Sequence, residues 1–254
     1  MKTHLLSVAI ALAVLLLMGC GDDEEGPGPG PESGTEFNPV LREGNAYFYR
    51  NWNLDQTSNI DTSSEWKSTW RVTAQGQSIG GFSDVFVITD SSFSVGGTFL
   101  EVDTIYIRID ENKDLHFLAF IADQLEGSPI EELGTLVPMW NRIFAFSVGV
   151  GNSWTIASID TTVDVSGFPT PVTFSITGTL EGQETVSVPA GSIEAYKVTI
   201  HSEIQLGTIP IEFNTLFWFS DNPSGLIKEF LPSFIALAFV AGNQVELESF
   251  TLAP

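Results

Sequence analysis

From Phe37 to the C-terminus, apolar and polar residues alternate with a period of two, the pattern of strands buried on one face. The clearest run places Tyr196, Val198, Ile200, Ile204 and Leu206 on one face and Lys197, Thr199, His201, Glu203 and Gln205 on the other. A second sets Val172, Phe174, Ile176 and Leu180 against Thr173, Ser175, Thr177, Thr179 and Glu181. Ile105, Ile107 and Ile109 form a third, and Trp66, Trp70 and Val72 a fourth.

Turn residues punctuate these runs. Asp110-Glu111-Asn112-Lys113-Asp114 predicts a hairpin loop. Pro189-Ala190-Gly191-Ser192 and Asp221-Asn222-Pro223-Ser224-Gly225 predict two more turns, and Ala241-Gly242-Asn243 precedes a final strand. The spacing gives roughly eleven to thirteen strands. One interval departs from the pattern. Ser128-Pro129-Ile130-Glu131 carries an N-cap serine, a first-turn proline and a glutamate at N3, followed by Leu133, Leu136, Val137, Trp140 and Phe144 at loosely helical spacing. The expected fold is all-β: a curved antiparallel sheet, half-barrel or barrel, with one or two short helices near residues 128–145.

Three strands are apolar on both faces: Leu115–Ile121, Leu216–Phe219 and Phe234–Val240. Such strands need cover on both sides. Either helices supply it or the sheet curls around an apolar lumen. In the second case Phe117, Phe120, Phe217, Trp218, Phe219, Phe234 and Phe239 are the candidate ligand-lining residues.

Before Phe37 the chain changes character twice. Lys2 and His4 lead into an apolar stretch, Leu5 to Met18, too short for the roughly twenty residues that span a ~30 Å hydrocarbon core. It ends in Leu17-Met18-Gly19-Cys20, and Cys20 is the sole cysteine. Residues 21–36 are Gly, Pro, Asp, Glu, Ser and Thr without an apolar side chain, a composition that cannot offset its ordering entropy. The expected division is a signal peptide over 1–19, a lipidated cysteine with a disordered acidic tether over 20–36, and one β domain over 37–254.

Leu17-Met18-Gly19-Cys20 resembles the lipobox of bacterial lipoproteins. That resemblance implies cleavage between Gly19 and Cys20, acylation of Cys20, and attachment of the chain to the cell envelope, with the outer membrane as the expected site. The acidic block Asp22-Asp23-Glu24-Glu25 also resembles the export signal of surface-exposed lipoproteins in Bacteroidetes-type bacteria, although it reads equally as a soluble linker. Two further segments, Val188-Pro189-Ala190-Gly191-Ser192-Ile193-Glu194-Ala195-Tyr196-Lys197-Val198 and Trp218-Phe219 through Gly225-Leu226-Ile227-Lys228, resemble a V-P-A-G-x-[FI]-x-A-x-K-V … W-[FY] … G-L-[VI]-K pattern of uncharacterised exported and lipid-anchored bacterial proteins. This implies a curved antiparallel sheet like the half-barrel of lipoprotein carriers, and no catalytic residues.

Charge and cysteine usage narrow the function. The chain has 10 Lys and Arg against 32 Asp and Glu, a formal net charge of −22. That opposes nucleic-acid binding, which needs a basic footprint. With Cys20 the only cysteine, no disulfide or cysteine-ligated metal is available to the body. Asp110, Asn112 and Asp114 open like an EF-hand loop, but Leu115 and Ile121 stand where a glycine and a glutamate are required, so the hairpin turn is the better reading. His116 and His201 lack metal-motif spacing, and no nucleophile elbow, phosphate loop or dinucleotide fingerprint occurs. The sequence therefore predicts no catalytic residue, metal or cofactor. The expected function is a non-catalytic binding module for an apolar or amphiphilic ligand, attached to the membrane through Cys20, with protein partners unspecified. The alternatives are a structural or interaction lipoprotein with a solid core, and a hydrolase using a carboxylate pair.

Overall fold

The computed structural model describes residues 37–118, 140–165, 168–235 and 239–254. Twelve strands form one antiparallel sheet that curls into a nearly closed barrel. The first meander runs β1 (Ala46–Asn53), β2 (Trp66–Ile79), β3 (Phe82–Ser94), β4 (Phe99–Ile109), β5 (Leu115–Leu118) and β6 (Trp140–Phe144). The second runs β7 (Ser153–Val165), β8 (Phe168–Val188), β9 (Gly191–Leu206), β10 (Ile209–Asp221) and β11 (Ser224–Leu231). The last strand, β14 (Asn243–Thr251), inserts between β1 and β11 and joins the two meanders. Two short strands, β12 (Phe234–Ile235) and β13 (Phe239–Val240), form a separate hairpin.

The alternating residues build the wall as the sequence predicts. Phe174, Ile176, Val198 and Ile200 face the core, each 3% exposed or less, while Thr173, Glu203 and Gln205 line the outside. The turns at 110–114, 189–190 and 222–223 connect adjacent strands. Of the span expected to be helical, residues 119–139 lie outside the described ones, and Trp140–Phe144 is strand. There Asn141 pairs with Phe117 and Phe144 with Leu115 across a register shift, so tertiary pairing overrides the loose helical spacing.

The barrel closes between β6 and β7, which share no ladder. Trp154 on β7 bridges that seam: its indole Nε1 donates to the Arg142 carbonyl on β6 at 3.2 Å. Its ring lies over Gly178 on β8, the residue directly opposite. At the other end of the chain the loop around Gly242 crosses the end of β11 so closely that a Cβ there would sit 2.1 Å from the Leu231 carbonyl oxygen. No helix among the described residues is long and apolar enough to cross a membrane.

Candidate functional site

The interior of the barrel has two ends of opposite character. At the first, aromatic rings fill the space. Phe37 stacks on Phe146 with ring centres 3.6 Å apart, and Phe144 packs against Phe217 at 5.2 Å and Phe219 at 4.2 Å. Phe117 meets Phe144 edge-on at 5.9 Å. A cavity of about 30 Å³ remains nearby, lined by Tyr47, Tyr49, Trp70, Ile88 and Phe117 among others. It holds at most a water or two, far below the several hundred Å³ of an ordinary ligand pocket.

The second end is polar. Asp90 shares the inward face of β3 with Ile88, and Asp103 stands opposite it on β4. Asn51 and Asn53 extend the inward face of β1 beyond Tyr49. Glu229 on β11 lies between Val245 of β14 and Phe217 of β10, at the border with the aromatic end, and Asn243, paired across to Asn53, is its diagonal neighbour. Asn51 donates to Ser68 Oγ at 3.2 Å. Others have no partner: Asp90 Oδ1, Asn53 Oδ1 and both amide atoms of Asn243, which is 1% exposed.

Burial pushes the Asp90 carboxyl up to about 7, with Asp103 and Glu101 adding like-charge repulsion and the Trp70 side chain working against the rise. Burial alone raises Glu229 to about 7, although part of the residue still reaches solvent. The buried Tyr49 feels both carboxyls, and its hydroxyl donates to the Leu226 carbonyl at 3.2 Å. Burial, then Tyr47, Asp90 and Glu229, hold that hydroxyl well above its ordinary value. Asp90 and Glu229 are thus pushed the same way. An acid and a base in catalysis are pushed apart.

The candidate lining residues separate. Phe117, Phe217 and Phe219 face inward, as described. Trp218 takes the opposite parity to Phe217 yet is also buried, covered by Lys197 and Lys228 at 6.0 and 5.9 Å from its ring and by Glu184, to which its indole donates at 2.5 Å. Phe234 stacks on the inward-facing Phe213 at 4.4 Å, so β12 packs over the end of the barrel beside β10. Phe120 and the side chain of Phe239 lie outside the described residues, as do Gly19 and Cys20.

Two other polar clusters are occupied by their own contacts. Asp114 Oδ2 accepts from Arg142 Nε at 2.8 Å and Ser147 Oγ at 2.7 Å, and Oδ1 accepts from the Ser147 backbone N–H at 2.9 Å. Asp110 caps its turn through the N–H groups of Asn112 and Asp114 and meets His116 Nε2 at 3.0 Å. Burial opposes its charge, but His116 and those N–H groups outweigh it and hold the carboxyl below the usual range. The spacing that resembles a calcium loop is therefore a capped turn tied to β6. Among the described residues no group of three or more His, Cys, Asp or Glu could hold a metal ion. On the outer wall a groove of about 480 Å³ crosses β7 to β10, with Asp160, Ser175, Glu203 and Glu212 among its lining. His201 there meets Asn214 at 2.7 Å and Glu203 at 3.1 Å.

Sequence reasoning missed the polar end. Its signal is a polar residue at an apolar parity: Asp90 two positions after Ile88, Glu229 two before Leu231, Asn243 two before Val245.

No family model matches this chain, and no curated protein matches it. Among solved structures it is similar to a protein of Parabacteroides distasonis described as a lipoprotein, with a TM-score of 0.48 and 11% identity over 86% of this chain and 100% of that one. It is similar to an exported protein with a YmcC-like fold from Bacteroides fragilis, with a TM-score of 0.44 and 12% identity over 86% and 100% of the two chains. A third is the hypothetical lipoprotein YmcC of Escherichia coli, with a TM-score of 0.33 and 10% identity over 84% and 86%. No residue role is carried over from any of them.

Proposed function

We propose that this chain is a lipid-anchored protein of the bacterial cell envelope whose barrel is a non-catalytic binding module. The observation that carries the anchor is Leu17-Met18-Gly19-Cys20: the sole cysteine falls where an apolar leader ends and an acidic Gly/Pro tether begins. Two acyl chains give stable anchoring, at about 0.8 kcal/mol per buried methylene. The barrel would then need no apolar patch of its own to stay on a membrane. Cys20→Ser tests this. The wild-type protein is expected in the membrane fraction, with the variant unprocessed and unacylated. A variant with unchanged processing and acylation would refute the assignment.

The binding-module reading is supported by the unpartnered polar groups at one end of the interior, since buried polar atoms are normally satisfied. An amphiphile would place its polar head there. Solvent extraction of the purified protein, followed by titration with fatty acids and lysolipids, is the test. A co-purified or titratable ligand supports it; none of either contradicts it. The packed rings of Phe37, Phe144, Phe146, Phe217 and Phe219 favour a second reading, a structural or interaction lipoprotein with a solid core. Nothing favours a carboxylate-pair hydrolase over these readings, because Asp90 and Glu229 stand on strands four apart in the sheet.

A further inference from the structure

We propose that the tip of the β3–β4 hairpin, Val95 to Val102, inserts its apolar side chains into the surface of a lipid bilayer, so that the barrel rests on the membrane through the end away from Phe37. The proposal deepens the lipid-anchor reading and rests on it.

Among the described residues ten large apolar side chains are exposed, and four of them fall within this one stretch. Val95 is 58% exposed, Phe99 56%, Leu100 38% and Val102 54%. Single exposed apolar residues are ordinary, but a gathered set marks a contact surface. Phe93 extends the set, since it is paired directly with Phe99 and their rings meet edge-on at 5.9 Å. Residues 91–100, Ser-Ser-Phe-Ser-Val-Gly-Gly-Thr-Phe-Leu, carry no charge in a chain with 32 Asp and Glu.

The turn holds its own shape. The Ser94 N–H donates to the Thr98 carbonyl at 2.9 Å, and Ser94 Oγ accepts from the Thr98 N–H at 3.1 Å. Gly97, at a φ of 81°, donates back to the Ser94 carbonyl at 2.9 Å. Those bonds occupy backbone groups that would otherwise oppose transfer out of water. On the β2 side the ladder ends with Trp66 opposite Ser94, and Trp66 in turn lies opposite Asn51 of β1. The turn from Val95 to Thr98 therefore projects beyond both neighbours. A narrow projecting knob has no cleft in which to hold a small ligand, whereas a fluid surface closes around it.

The length of chain before Phe37 lets this end reach the membrane. The chain enters the barrel at the other end, where Phe37 packs on Phe146 and Tyr196. β1 then runs from Ala46, in the row of Arg71 and Thr89, to Asn51, in the row of Trp66 and Ser94. From Thr89 to Val95 is about 20 Å of strand at ~3.3 Å per residue. Cys20 and Phe37 are 17 positions apart. That separation spans about 20–25 Å as a random coil and at most about 60 Å when extended. An anchor on Cys20 thus leaves the barrel free to turn its far end to the bilayer. Glu101 and Asp103 follow Leu100 and hold the insertion to the headgroup boundary, about 5–10 Å deep. With a net charge of −22 the chain gains nothing from anionic lipid, so the contact is apolar.

The test uses the acylated full-length protein in phosphatidylcholine vesicles. Lipid on Cys20 blocks its sulfur, so Phe99→Cys supplies one thiol for an environment-sensitive fluorophore. Val150→Cys is the control, as Val150 is also 58% exposed but follows Phe146–Val148 at the Phe37 end. Both labelled proteins should float with the vesicles through a density gradient. The label at position 99 is expected to shift its emission to the blue and to be quenched by spin-labelled lipid, with the label at position 150 unchanged. Adding Val95→Ser and Leu100→Ser should reduce the shift while flotation persists. Replacing part of the phosphatidylcholine with phosphatidylglycerol should not increase it. The proposal is overturned if the label at position 99 on floated protein stays in water, if the label at position 150 shifts as much, or if the shift needs phosphatidylglycerol. A shift that grows with protein density at fixed lipid assigns the tip to a second copy of the chain and overturns it too. In each of these cases flotation leaves the anchor standing. Protein that does not float removes the anchor and the proposal together.

Discussion

The ring of Trp154 occupies the place that a side chain at Gly178 would take: a Cβ built there lies 2.1 Å from Trp154 Cζ2. The pair faces inward across β7 and β8, and the same indole holds β6 through the Arg142 carbonyl. Glycine is thus required by the tryptophan that seals the barrel. Gly178→Ala should cost about 2–4 kcal/mol from overpacking and loss of that hydrogen bond. In a Trp154→Ala background the same change should be nearly neutral, because alanine suits a strand better than glycine. Denaturant unfolding of the four proteins checks this. Equal costs in both backgrounds would show that the ring does not rest on residue 178.

Asp114 joins the β4–β5 hairpin to the edge strand β6. Its side chain is 1% exposed, while that of Arg142 is 37% exposed. Asp114→Ala should cost about 2–4 kcal/mol, toward the lower end of what breaking a buried pair costs because the arginine can rehydrate. Amide exchange should rise in β6 before it rises in β9. Uniform loss of protection, with no preference for β6, would contradict this role.

Asp90 and Glu229 give the stability a pH dependence of unusual sign. Each is near 7 in the fold and near 4 when unfolded, so the folded chain holds more protons between those values. Stability should therefore fall as pH rises from about 4 to about 7 and then level. His201, held above its ordinary value by Glu203 and Asn214, acts in the same direction at the top of that window. Asp90→Asn should flatten the slope and leave the protein more stable than wild type at pH 8, by roughly 1–3 kcal/mol. Urea titrations at pH 5 and pH 8 measure it. A wild-type stability that rises between them, or a variant with an unaltered slope, would contradict the burial of these carboxyls.

Phe217 and Trp218 are adjacent in sequence and opposite in role. Phe217→Ala removes a ring packed on Phe144 and should cost about 3–5 kcal/mol. Trp218→Ala removes an equally buried ring on the opposite parity and should cost a similar amount, but should disturb the protection of Glu184 and Lys228 rather than that of Phe144. A loss below about 1 kcal/mol for Phe217→Ala would mean that this ring faces empty space.

The strands were legible because Val172, Phe174 and Ile176, or Val198, Ile200 and Ile204, sit at strict alternation with polar partners, and one buried face enforces that register. The turns were legible from proline, glycine and asparagine. The parity of Phe217, Trp218 and Phe219 was not, because three apolar neighbours give no sign of which one takes the other face. Lys197, Lys228 and Glu184 cover Trp218 on its side of the wall and leave it buried there. Asp90, Glu229, Asn53 and Asn243 escaped notice for the converse reason. In an alternating pattern a polar residue reads as solvent-facing, and only its parity with a buried neighbour reveals that it points inward.

Mass spectrometry of the mature N-terminus, taken from protein purified out of a bacterial membrane, decides whether the barrel is lipid-anchored. The mature chain is expected to begin at Cys20 and to carry lipid on that residue. A chain that retains residues 1–19 with a free Cys20 thiol would contradict it.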